Sequence, residues 1–180
     1  VTARLLGMAA HPDPSVLLQL VLSLGEAEDP GVESVLQEVI VRSGDRPFVV
    51  DAVMSGISGR EADFIVGLTG SLPNGAPGAA KALTAATSGL LIRSDLRRMT
   101  LKAEDNAHLT TLFMLSADPA TPEWARYSIV DGIKQFIPKD ETGRPLRVNL
   151  LIAPEPLIKF AASSDNATTR RVRTLLGSLN

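Results

Sequence analysis

The chain has 180 residues, 44% of them hydrophobic, with a net charge of −2 at pH 7 and only 4% aromatics. That is enough apolar material for a substantial core built mainly from Leu, Val, Ile and Ala, with no global field to attract nucleic acid or anionic lipid. There is no cysteine, which excludes disulfides, thiol catalysis, cysteine-ligated zinc and c-type haem attachment within this chain.

The helices announce themselves in chain order by where they start. Residues 1–10 read as the end of a helix broken by His11-Pro12-Asp13-Pro14. Residues 15–25 are apolar almost all round (Val16, Leu17, Leu18, Leu20, Val21, Leu22, Leu24). A strand fits that composition equally, but the Asp-Pro start and the Gly25 stop favour a helix. Such a helix is expected between neighbours on most sides. Residues 31–41 are amphipathic, with Val32, Leu36, Val39 and Ile40 on one face. A helix over 47–58 follows, then a turn at Gly59-Arg60 and a helix over 61–72 that is apolar on Phe64, Ile65 and Leu68. Residues 70–78, dense in Gly and Pro, read as a loop. Residues 79–93 form an Ala-rich helix, which 95–101 either continue or follow as a separate turn. Helices are expected over 107–115 and 123–137, a polar loop over 138–145, a brief extended segment over 148–152, and closing helices over 155–162 and 168–176.

An acidic or polar residue followed by proline and an apolar run is a helix-start device, with proline placed at the first helical position. It recurs at Asp13-Pro14, Asp29-Pro30, Asp45-Arg46-Pro47 and Thr121-Pro122. Prolines 14, 47, 77, 122 and 154 stand about 30–45 residues apart, the range of two-helix repeats, with an insertion near 93–105. The expectation is one all-α domain over 1–180: an α-α superhelix of about four irregular helix pairs. A compact helical bundle is the alternative. No apolar run approaches the roughly 20 residues that span a bilayer. The start at Val1, with no signal-peptide pattern, reads as a piece of a longer protein.

His-Pro-Asp13-Pro14-Ser15-Val16-Leu17 and Arg-Pro47-Phe48-Val49-Val50-Asp51-Ala52-Val53 resemble the Asp-Pro-x-Val-Arg helix start of HEAT repeats, and Thr-Pro122-Glu123-Trp124-Ala125 is a looser match. The longer string is similar to the HEAT-like region of large planctomycete and verrucomicrobial membrane-bound dehydrogenase proteins. Those proteins join a sugar-dehydrogenase-like propeller to a c-type haem domain. The resemblance implies a HEAT-like solenoid module in the bacterial periplasm or cell envelope. The propeller and haem motif lie outside this chain, so it implies no cofactor here. The basic residue of the HEAT start is replaced by Leu17, Val50 and Ala125, so stacking is expected to rest on apolar contact.

The polar residues assemble no reaction centre by spacing. His11 and His108 lie far apart and outside any metal-ligand pattern. The carboxylates at Glu26/Glu28/Asp29, Glu61/Asp63, Glu104/Asp105 and Asp140/Glu141 fall at turns or helix starts, where exposure and a capping role are expected. Gly75 is followed by Ala76-Pro77, not by the Lys of a phosphate loop, and Ser55, Ser58 and Ser71 lack a nucleophile elbow. Asn166-Ala167-Thr168 matches a glycosylation sequon and more simply caps the last helix. The basic groups Arg93/Arg97/Arg98/Lys102 and Arg170/Arg171/Arg173 read as solvated faces. Trp124 and Tyr127, one turn apart, read as packing at a helix start. The surface candidates are Trp124, Arg126, Tyr127, Arg93 and Arg97.

The functional expectation is a structural or protein-interaction scaffold without catalysis, metal or cofactor. Its partners are other domains of a parent chain or another protein, and both ends are expected to lack a polar cap and so to favour self-association. One rival is a HEAT-like DNA glycosylase using Trp124, Arg126 and Asp131, against which the missing basic face argues. Another is a helical bundle holding a small apolar ligand.

Overall fold

The computed structural model describes residues 2–9, 11–27, 29, 31–71, 75–93, 103–137, 139–146, 150 and 153–179. Over these the protein is all-α. The expected turn or helix at 95–101 and the extended segment at 148–152 lie outside the described residues, Leu150 apart. The chain divides into two compact units, Val1–Ala86 and Thr87–Asn180.

The first unit contains α1 (Thr2–Met8), α2 (Pro14–Gly25), α3 (Val32–Ser43), α4 (Val49–Gly56), α5 (Glu61–Ser71) and the beginning of α6 (Pro77–Arg93). The Asp-Pro device works as read at α2. The Asp13 carboxylate accepts the Ser15 N–H at 2.8 Å, and Pro14 occupies the first turn, where a missing N–H costs nothing. Pro77 likewise opens α6. At α4 the expectation is corrected. Pro47 precedes the helix by two residues, and Phe48 intervenes as its N-terminal cap in the left-handed region (φ 65°). Leu17, Leu20, Val21 and Leu24 of α2 are buried against neighbours while Leu22 is half exposed, so α2 is covered on most sides rather than all.

Packing in this unit joins α1 with α2 and α3, α2 with α3 and α4, and α3 with α4 and α5. The α2–α4 approach is close. Gly25 and Gly56, at the C-terminal ends of the two helices, meet backbone to backbone, and a Cβ on Gly25 would lie 2.7 Å from the Gly56 Cα. Gly44, after α3, meets Gly78 of α6 in the same way, with a Gly78 Cβ falling 2.4 Å from the Gly44 Cα. Leu36, Val39, Ile40, Val50, Val53, Phe64 and Leu68 complete the core. Burying each such side chain contributes about 1.5–3 kcal/mol.

The second unit holds α7 (Ala103–Ala117), α8 (Glu123–Phe136), α9 (Glu155–Ser163) and α10 (Ala167–Leu176). Here α7 packs on α8 and α9, and α10 on α8 and α9. Pro122 and Pro154 stand one residue before their helices, at the cap, not inside the first turn. A capping residue needs only its carbonyl, and that of Pro122 accepts from both Ala125 and Arg126 at 3.0 Å. Asn166 caps α10 as expected: it accepts the Thr169 N–H while Thr169 Oγ1 accepts the Asn166 N–H, each at 2.9 Å. Between α8 and α9 the turn 139–145 is tied by Asp140, whose Oδ1 accepts from Thr142 and Arg144. Gly143 supplies the positive φ (81°) that the turn requires.

One sequence expectation changes here. The basic group on α10 is not simply solvated: Arg173, though its side chain is 45% exposed, donates to the Ala161 and Ser164 carbonyls and to Asp165.

Candidate functional site

Three of the five surface candidates sit on one turn of α8. Ala125, Ile129, Val130 and Ile133 bury one side of the helix, which leaves residues 126 and 127 at its flanks. Tyr127 reaches α10, where the Arg171 guanidinium lies over its ring, 3.9 Å from Cζ to centroid. Arg171 Nη1 also donates to Asp131 Oδ1 at 2.6 Å, one helical turn beyond Tyr127. Glu123 adds a third tie by accepting from Thr168 Oγ1 at 3.1 Å. Tyr127, Asp131 and Arg171 therefore brace α8 against α10, and Asp131 is a committed ion-pair partner. Trp124 is half-buried at the start of α8.

Arg126 differs. It reaches α9, where its guanidinium lies over the Phe160 ring at 5.1 Å from the centroid. Its Nε is buried and has no hydrogen-bond acceptor among the described residues. A buried donor left without an acceptor costs on the order of 1–3 kcal/mol. Phe160 also lines a concavity of about 610 Å³ between the C-terminal half of α7 and α9. Met114, Ala117 and Pro119 form one wall, and Pro156, Phe160 and Ser163 the other. Its surface is mainly apolar, and Met114 is 58% exposed. Of its two charged residues, Asp118 accepts the Ala120 N–H at 2.8 Å, and Lys159 pairs with Glu155 at 3.7 Å.

The first unit carries a concavity of another kind. About 650 Å³ is lined by Glu26, Asp29, Glu33 and Asp63, with Arg60 as the one cation among them. It lies where the α2–α3 and α4–α5 turns come together. Glu33 is held above the ordinary carboxylate range, first by burial and then by repulsion from Asp63, against the attraction of Arg60. Arg60 itself donates to the Gly56 carbonyl at 2.7 Å. Glu61 corrects the expectation that the turn carboxylates are exposed: it is buried, with Oε2 accepting the Gly59 N–H at 3.0 Å. Among the described residues no group of His, Asp and Glu is arranged to hold a metal ion. His11 Nδ1 accepts the Asp13 N–H at 3.2 Å, and His108 Nδ1 is buried without a partner among the described residues.

Arg93 is the last residue of α6, and its side chain, like the whole of Arg97, lies outside the described residues. Sequence reasoning singled out Trp124, Arg126 and Tyr127 and read Arg171, which lies over Tyr127, as solvated; it missed Phe160, against which Arg126 lies, and Met114. The α9 pattern Pro156–Phe160–Ser163 was a usable signal, since its i, i+4, i+7 spacing puts all three on one face. The chain matches no known family model, no curated protein and no solved structure.

Proposed function

We propose that this chain is a protein-interaction scaffold built from stacked helix pairs, a HEAT-like α-solenoid module. The observation that carries the reading is the packing of alternate helices within each unit: α1 on α3, α2 on α4 and α3 on α5 in one, α7 on α9 and α8 on α10 in the other. Helix pairs stacked in register produce this pattern, because each helix meets its hairpin partner and its counterpart in the next pair. The glycine contacts support it. Gly25 and Gly56, and Gly44 and Gly78, are matched across helices at separations of roughly 30–35 residues, one repeat length.

The same reading carries the resemblance to the HEAT-like region of bacterial envelope dehydrogenases as a proposal about the parent protein. A parent gene product with a Cys-x-x-Cys-His downstream of this segment would support it, and one without such a motif would remove the envelope placement. The DNA-glycosylase alternative is weakened by Asp131, whose carboxylate is held by Arg171, and by Arg126, which lies against Phe160.

Native-state hydrogen exchange tests the stacking. A solenoid is stabilised pair by pair, so protection is expected to grade along the chain, and Gly56→Ala should lower it chiefly in α2 and α4. A uniform loss across all helices of the first unit would mean one indivisible core and would remove the solenoid reading.

A further inference from the structure

We infer that α6 is a jointed helix, built to bend at Thr87-Ser88-Gly89. The inference stands on α6 itself and does not depend on the scaffold reading.

Three observations meet at those residues. The first is helix propensity. The earlier part of α6 carries five alanines, Ala79, Ala80, Ala82, Ala85 and Ala86, and alanine is the strongest helix former. Thr87, Ser88 and Gly89 follow in succession, and each favours the helix less than alanine does. Sharp bends in helices without an internal proline occur at Gly/Ser pairs, and Ser88-Gly89 is such a pair.

The second is an unsatisfied group. α6 buries a continuous stripe of Ala79, Ala82, Leu83, Ala86, Leu90 and Leu91. Thr87 lies within that stripe at 0% exposure, and its Oγ1 has no hydrogen-bond partner among the described residues. A buried hydroxyl without a partner disfavours the straight form. The usual remedy is donation to the carbonyl one turn back, here that of Leu83, and such a bond bends a helix. Entry of a water into the opened turn has the same effect. Bending therefore satisfies a hydroxyl that the straight helix leaves dry.

The third is position. The chain passes from the first compact unit to the second between Ala86 and Thr87, inside α6 and not after it. The weak turn stands at that crossing.

The test uses the full chain, which has no cysteine to compete with engineered ones. Lys81→Cys and Ile92→Cys carry nitroxide spin labels. The Lys81 side chain is 61% exposed and Ile92 is 51% exposed. The two positions share one face, about three turns and about 17 Å apart along a straight helix. Pulsed dipolar EPR should show a second distance component beside that of the straight form. Thr87→Val keeps the shape and removes the hydroxyl, so it should reduce the second component at least about fivefold. Ser88→Ala should reduce it about twofold and Ser88→Gly should enlarge it by a similar factor. Circular dichroism checks that the labelled chains stay folded. A single component in the parent chain would overturn the inference. So would a second component indifferent to Thr87→Val, the mark of simple fraying toward Arg93, because valine forms helix no better than threonine. A larger second component in Thr87→Val would show that the hydroxyl holds the helix straight through a bound water, and would overturn it as well. Should Thr87→Val not fold, the half-buried Ser88 decides alone: no response to either of its substitutions removes the joint.

Discussion

The two units join their helices by different chemistry. In the first, α2 and α4 meet through backbone, with Gly25 against Gly56 and no side chain between. In the second, α8 is joined to α10 through long side chains, Arg171 over Tyr127 and onto Asp131, and to α9 through Arg126 over Phe160. Contact through backbone leaves nothing to adjust. Contact through arginine and aromatic side chains tolerates small shifts. The difference makes the contact in the first unit the less forgiving of added atoms.

The sharpest way to break this comparison is to add atoms at the glycine contact. Gly25→Ala puts a Cβ 2.7 Å from the Gly56 Cα, where no flexible side chain can yield, and should cost about 2–3 kcal/mol. Gly70→Ala, in a helix with nothing within 4 Å of the new Cβ, should instead gain about 0.5–1 kcal/mol. Urea denaturation midpoints at constant slope check both signs. Equal effects would mean that the contact has no special role.

The corresponding cut in the second unit should be milder. Asp131→Asn removes the carboxylate from Arg171, at side chains 29% and 36% exposed, where solvent screens much of the attraction. About 1 kcal/mol is expected. A double-mutant cycle with Arg171→Met should show coupling; additivity would show the brace to be cosmetic.

Phe48 offers a smaller and opposite effect. It holds φ 65° while 69% exposed, so it bears left-handed strain with little burial in return. Phe48→Gly should raise stability by about 0.5–1 kcal/mol in thermal unfolding. A fall would reveal a contact by the ring that outweighs the strain.

The smallest effects are those of pH, and they run in opposite directions in the two units. Glu33 in the first has its pKa raised above the ordinary carboxylate value, by burial first and then by Asp63. Its ionised form is disfavoured by folding, so the penalty is fully present well above the folded pKa and lifts as pH falls through it. Glu33→Gln should therefore stabilise at neutral pH and abolish that gain. Asp140 in the second has its pKa lowered below 3.8, by hydrogen bonds from Thr142 first and then Arg144. Its contribution is present above 3.8 and is lost as pH falls through the lower folded value. Carboxylate NMR titrations of both residues check the two directions, and a shared direction would refute them.

The helices were readable because their signals are local. Asp13 before Pro14, and Asn166 three residues before Thr169, are capping patterns complete within four residues. Helix ends set by competition were less legible: α5 extends to Ser71 and α6 begins at Pro77, which narrows the expected 70–78 loop. What stayed hidden depends on residues far apart in sequence. Gly25 read as a helix stop, while its role as a contact needs Gly56. Arg171 read as solvated because its partners, Tyr127 and Asp131, lie about forty residues earlier. Glu61 read as an exposed turn acid because burial at a helix start leaves no mark in the sequence.

The meeting of Gly25 and Gly56 has a consequence beyond stability. Slide α2 one residue along α4, and Leu24 or Glu26 comes opposite a glycine backbone with no room for a side chain; slide α4, and Ser55 or Ile57 does the same. A pair of residues without side chains thus marks the alignment at which the two backbones can approach this closely.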